Sequence, residues 1–435
     1  MRGNPMRKHY FALFIVTVWM ILPHAPRAES DPLPWANPWD VGMDYTFVNK
    51  AFSELAAGIA EKAAPGAVGL ILKDGKIVAR RAVGNMQTNL MFRASETEKL
   101  TYIPMSDRML EETIFDLASV TKMVACTMSI MKLVEKGKLD LDAPVIKHIP
   151  SFGARAKDKV TVRNLITHTS GLPAWYPLYE ICVNCEEVFR CIEEEIALEY
   201  PPGKKRIYSD LGFIMLGKLV EVISGKRLDQ FAAEQIFQPL GMNDTQYLPW
   251  LLKRLRAAPT EYDPLRDRAL KGIVHDENAR ALGGVSGHAG LFSTVNDLAV
   301  FSQMLLNQGE FNGVRVFKKE TIQQMLKPQL DDAVLREGSG FLKYRKQLLG
   351  WWGMDDKKTI GSMGGLPSTS AFGHSGFTGT MINIDPEHKT AAILLTNAIH
   401  PRRADSQKLR LYRNFFVNVS KALVGEKDVN VEPEN

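Results

Sequence analysis

No apolar run inside the chain is long enough to cross a bilayer, and no repeat or low-complexity tract interrupts it. An internal membrane span and a repeat architecture are therefore excluded. Cysteine is scarce, four in 435 residues. Cys126 lies in an apolar helical stretch and reads as buried packing. Cys182, Cys185 and Cys191 cluster without a nearby histidine, a poor match to the four protein ligands of a structural zinc site. One disulfide within this trio is the expectation for an exported chain. An excess of one charge is also missing. Residues 1–28 hold four basic side chains (Arg2, Arg7, Lys8, Arg27) and no acid; without them 50 basic residues face 49 acidic ones, a net +1 against +5 for the whole chain. That near-neutrality gives no support to nucleic-acid or anionic-membrane binding.

What is present is a globular chain. Its 45% apolar and 24% charged residues exclude general disorder. Its length exceeds one compact core, so a large domain with an insertion, or two lobes, is expected. Basic residues, the apolar run Phe11 to Leu22 and a break at Pro23 to Pro26 read as an export signal over residues 1–28, which places the protein in the periplasm or outside the cell. Pro26 sits where cleavage favours a small residue, so an uncleaved anchor is the alternative, and the sole expected membrane contact.

A leader (29–44) and then a helix, Tyr45 to Lys62, lead to two strand-like runs, Val68 to Lys73 and Lys76 to Val83, joined by the hairpin signal Asp74-Gly75. Asn85 to Arg108 is polar and reads as an irregular surface excursion. Val120 to Lys136 is apolar on nearly every side and predicts a buried helix stopped by Gly137. Leu211 to Ile223 and a stretch from Asn296-Asp297 toward Leu306 predict two more. Strands return at Gly379 to Asp385 and Thr390 to Asn397, and Ser406 to Leu423 closes the chain as a helix. The fold class is α+β: one antiparallel sheet from both chain ends (about 45–112 and 335–425), flanked by terminal helices, with a mainly helical insertion (about 113–334) and a polar tail, 426–435.

The strongest chemical signal is Ser119-Val120-Thr121-Lys122. Lys122 lies one helical turn beyond Ser119 on the same face. A serine hydroxyl is a weak nucleophile until a base takes its proton, and a buried lysine can serve because desolvation disfavours its ammonium. Unpaired N–H groups at the helix start could bind a developing oxyanion. The plain alternative is an N-cap serine.

Four more segments bear on that choice: Tyr208-Ser209-Asp210 before an apolar helix, His374-Ser375-Gly376 opening the late strands, and the loops Leu165 to Pro173 and Gly287 to Ser293. With them the sequence resembles the serine β-lactamase and penicillin-binding-protein superfamily, in its class C-like branch of esterases and D-alanyl-D-alanine peptidases, over about Ala67 to Arg402. The resemblance implies Ser119 as nucleophile, Lys122 as its proton acceptor and Tyr208 as the second acid/base. It also implies an oxyanion hole from the N–H groups of Ser119 and Phe377, next to Gly376, with His374 lining the strand side of the cleft.

The implied activity is acyl transfer to water through an acyl-enzyme on Ser119, with a peptide or small molecule of the cell envelope as substrate and neither cofactor nor metal. D-Ala-terminated peptidoglycan peptides come first, esters or β-lactams next, and a catalytically silent receptor is the alternative of another class. Two departures matter. Asp210 replaces the family's asparagine, and either stands beside Lys122 or caps the following helix. His374 replaces its lysine and is mostly neutral near pH 7. Other conspicuous residues read as structure: His168 and Thr169 as a hydrogen-bonded loop, His288 as a loop-shaping residue, and His275-Asp276-Glu277 as too contiguous to converge on one ion. Trp351-Trp352 either edges the cleft or packs in the core.

Overall fold

The computed structural model describes residues 31–92, 101–336, 345–354, 364–429 and 431. The expected signal segment lies outside them. Leu33–Asn435 forms one compact unit, apart from Met1–Pro32.

Helix α1 (Tyr45–Ala60) starts at Asp44, whose carboxylate accepts the Thr46 N–H, and leads into β1 (Gly66–Lys73) and β2 (Lys76–Phe92). Asp74 and Gly75 both take positive φ, 50° and 75°, as a two-residue hairpin turn demands. Strand β3 (Thr101–Arg108) follows, and much later come β4 (Trp352–Gly353), β5 (Phe372–Gly376), β6 (Thr380–Asp385) and β7 (Thr390–Thr396). Their order is β4-β5-β6-β7-β1-β2-β3, antiparallel throughout, with Leu70 of β1 opposite Ile393 of β7.

Both faces of this sheet are covered, which is why β1 and β7 read as continuous apolar runs. Ala67, Ile71 and Leu394 point toward α1 and the last helix, α5 (Lys408–Val424), where Phe52 and Phe415 meet edge to face at 5.5 Å. Val68, Leu70, Ile393 and Leu395 point the other way, toward α4 (Val295–Leu306) and the helical part. Gly69 sits under the aromatic pair, and a Cβ there would lie 2.9 Å from the Phe52 ring.

Two expectations need correction. Asn85 to Arg108 is not an irregular excursion: β2 runs on to Phe92 and pairs with β3 at the sheet edge. Register shifts near Gln87 break the alternation that marks a strand, and so hide it. Nor is Val120 to Lys136 one regular helix. A 3₁₀ turn (Ala118–Val120) passes into a π-helical turn (Lys122–Thr127) and only then into α2 (Met128–Glu135). Every residue of the π turn is buried, so apolar periodicity carries no trace of its wider pitch.

Helix α3 (Asp210–Ser224) is capped by Ser209, whose hydroxyl accepts the Gly212 N–H, and ends at Gly225 with φ 70°. Within the helical part a small sheet joins Phe115–Asp116, Leu291–Ser293 and Gln246–Tyr247, and so anchors the residues just before Ser119. The expected disulfide is not formed. All four cysteines are free thiols, with Cys182 and Cys191 close enough to hydrogen-bond.

Candidate active site

The backbone ahead of Ser119 is held under strain. Ala118 takes φ 45°, a left-handed conformation that costs a residue with a Cβ, and Asp116 secures it. One carboxylate oxygen accepts the Ala118 N–H at 2.9 Å and the other accepts the His275 N–H at 2.7 Å. Burial raises the Asp116 pKa, and these two N–H bonds oppose the rise. The turn between β5 and β6 is tied to the same segment. Thr378 donates its hydroxyl to the Asp116 carbonyl (2.7 Å) and Thr380 donates to the Leu117 carbonyl (2.9 Å).

Gly376 permits that approach. A Cβ there would stand 2.3 Å from both the Leu117 oxygen and the Thr380 hydroxyl. Strand and nucleophile turn are thereby brought side by side, the placement an oxyanion hole from Ser119 and Phe377 N–H groups requires. The Phe377 side chain lies half exposed, stacked on His275 at 5.7 Å, and its carbonyl accepts from Lys408. A Gly376→Ala chain should lose about 1–3 kcal/mol of stability from overpacking. A lower urea midpoint together with slower acylation of Ser119 is the expected pair of readings.

Lys122 is fully buried. Its Nζ donates to Ser119 Oγ and to the His288 carbonyl, both at 3.0 Å, and stands 2.7 Å from Asp210 Oδ1. That last contact is an ion pair by distance, with the oxygen off the direction of an aligned hydrogen bond. Burial alone would lower the lysine pKa. The Asp210 charge opposes that, and the pKa stands well above the ordinary value. The resting site therefore holds Lys122 as a cation. Of the two expectations for Asp210, the ion pair is the one found; the cap is Ser209.

The Tyr208 hydroxyl is buried between Lys122 and Ser119 without an aligned hydrogen bond. Burial raises its pKa against the pull of Lys122, so the phenol is neutral at rest. His168 positions it. Its ring packs 4.5 Å from that of Tyr208, and its Nδ1 accepts the Ser209 N–H at 3.0 Å. The opposite wall carries His374, fully buried 4.0 Å from the Trp352 ring, with Nδ1–H donating to the Ser375 carbonyl at 2.8 Å. Burial and then the charge of Lys122 push its pKa down to about 3. It is a neutral imidazole whose Nε2 is an acceptor without a partner.

The tryptophan pair divides its duties. Trp352 edges the site and Trp351 packs in the core against Phe372. His288 acts through its carbonyl on Lys122, its ring being spent on Asp276 (2.8 Å) and Ser286 (2.7 Å). His275 is likewise engaged, with Glu261 at 3.0 Å. Sequence reasoning passed over Asp116 and Arg206. An acid between Phe115 and Leu117, and a base two residues before Tyr208, were the signals available.

A serine and lysine in contact, a tyrosine beside both and an antiparallel sheet with a helical insert define a serine hydrolase. Residues 48–414 match the family described as Beta-lactamase, and the chain belongs to that family, within the serine β-lactamase and penicillin-binding-protein superfamily. It is 33% identical over 381 residues to an N-acetylmuramyl-L-alanine amidase of Bacillus subtilis (strain 168), covering 82% of this chain and 81% of the relative. It is 33% identical over 365 residues, 78% of this chain and 80% of the other, to a protein of Escherichia coli K12 provisionally named a D-alanyl-D-alanine carboxypeptidase. In fold it is similar to a penicillin-binding-protein homologue from Caulobacter crescentus, with a TM-score of 0.64 at 19% identity over 87% of this chain and 99% of the other. EstCE1, a hydrolase with promiscuous acyltransferase activity, gives the same score at 20% identity over 85% and 99%.

Proposed function

We propose that the protein is an exported serine amidohydrolase that opens a D-alanyl-D-alanine bond in peptidoglycan peptides through an acyl-enzyme on Ser119. The observation that carries this reading is the buried contact of Lys122 with Ser119 Oγ at 3.0 Å, beside Asp210 and Tyr208. Ser119 Oγ attacks the amide carbonyl, forming an ester bond as the C–N bond breaks. The serine proton passes through Lys122 and Tyr208 to the departing nitrogen. Water then attacks the ester and restores the hydroxyl. Because Lys122 rests as a cation, it must first give up a proton, and the adjacent Asp210 carboxylate is placed to take it within a coupled pair.

A second reading, hydrolysis of the muramyl-L-alanine amide, is favoured by the name of the Bacillus subtilis relative. Export rests on the basic residues, apolar run and proline break of residues 1–28; among the described residues no helix is long and apolar enough to cross a membrane. Mass spectrometry of purified protein with a D-Ala-D-Ala pentapeptide, N-acetylmuramyl-L-alanine, p-nitrophenyl acetate and nitrocefin separates the readings. Release of D-alanine is expected. Turnover of p-nitrophenyl acetate alone would make the protein an esterase, turnover of nitrocefin alone a β-lactamase, and absence of any acylation a receptor.

A further inference from the structure

Arg206 stands two residues before Tyr208, in the irregular segment that leads into α3. It is 1% exposed. Nη1 donates to the Arg345 carbonyl at 2.8 Å, whereas Nε and Nη2 have no partner among the described residues. Those two groups form the parallel edge of the guanidinium, the edge that grips a carboxylate with two hydrogen bonds. Among the described residues no acid pairs with it. Burial is the one influence on its pKa, pulling it down to about 10, which leaves it a cation at neutral pH. An unpaired cation out of water is strongly unfavourable unless an anion joins it.

The surroundings place this edge on the site. The Arg345 carbonyl belongs to the run that pairs with β4, where Gly353 N–H donates to the Lys346 carbonyl at 2.8 Å. Trp352 of β4 packs on His374. On the other side, His168 lies within the field of both Lys122 and Arg206 while packing against Tyr208. On the strand wall His374 is neutral and presents only an acceptor.

We propose that Arg206 determines specificity by taking, on its Nε–Nη2 edge, the α-carboxylate of the amino acid that leaves when Ser119 is acylated. The proposal rests on the amidohydrolase reading above but not on which amide is cut. A terminal D-alanyl-D-alanine and a muramyl-L-alanine both release an alanine with a free carboxylate. With Tyr208 at the departing nitrogen, Arg206, its near neighbour in sequence, would hold the carboxylate of that alanine.

Two measurements test it. Kinetics compare each alanine-terminated substrate with its C-terminal carboxamide. Wild type should prefer the acid by at least about 10²-fold, since a site built to pair a polar group rejects the analogue lacking it. Arg206→Gln should lose that preference by slowing the acid selectively, and Arg206→Lys should recover part of it. Equal slowing of acid and amide, or an unchanged preference, would overturn the proposal. Binding of D-alanine, L-alanine and alaninamide by titration calorimetry needs no turnover. Arg206→Gln should weaken alanine at least about 10-fold and leave alaninamide alone. If alanine binds through Arg206 but no alanine amide is cleaved, the substrate reading fails and the anion site stands. If alanine binding ignores the substitution, the anion site fails whatever the substrate.

Discussion

A Ser119→Ala chain is expected to unfold at the wild-type temperature and to take no covalent label from a fluorescent penicillin or a fluorophosphonate. The residue is only partly buried and caps no helix by its side chain, so its hydroxyl contributes little to packing. Its one side-chain hydrogen bond is the one it accepts from Lys122. Hydrolysis should fall by about 10³-fold or more, because loss of the nucleophile leaves only binding and the oxyanion donors. Labelling that persists at another serine would remove Ser119 from the mechanism. The strained Ala118 and its Asp116 anchor predict the corollary that folding is unaffected, since both act on the backbone and not on the hydroxyl.

Asp210→Asn is expected to move the alkaline limb of the kcat/KM profile to lower pH. The sign follows from the surroundings of Lys122. In the wild type its pKa is raised, with desolvation opposed above all by the Asp210 charge. If acylation needs the neutral amine, the rate climbs with pH toward that raised value. An amide in place of the carboxylate removes the nearest opposite charge and leaves burial to act, so the neutral form appears earlier. Loss of an opposite charge at such range is worth about 1–3 pKa units, or a change of about 10–10³-fold in the neutral fraction near pH 7. The same substitution removes the carboxylate that takes the Lys122 proton, so the maximal rate should fall even as the limb shifts. Profiles that superimpose would make Asp210 a structural residue.

The fold was legible wherever a residue's burial and its spacing told the same story. The hairpin at Asp74-Gly75, the apolar strand Thr390–Thr396 and the helix after Ser209 belong to this class. Legibility failed in two opposite ways. Around Gln87 the pairing is real but its alternation is broken by register shifts. Between Lys122 and Thr127 burial is complete, so a π turn and an α turn leave the same apolar pattern. In the site, Ser119, Lys122, Tyr208 and His374 were legible because their spacing and their neighbours form short motifs. Asp116 and His168 were not read as site residues, since each works by holding a backbone N–H across a loop, a contact that no local spacing encodes. Arg206 was overlooked for a simpler reason: a lone basic residue beside Lys204 and Lys205 reads as surface charge until its burial is known.

The pairing of β1 with β7 ties the chemistry to the completeness of the chain. Leu70 must find Ile393, a partner on the order of 300 residues downstream, and contacts of that span form late and slowly. Ser119 and Lys122 leave the ribosome early, yet the strand bearing His374 and Gly376 gains its place only through β6 and β7. A nascent chain that stops short of Thr396 has a nucleophile and no opposing wall. Ser119 is thus given its opposing wall only when the last strand of the sheet is in place.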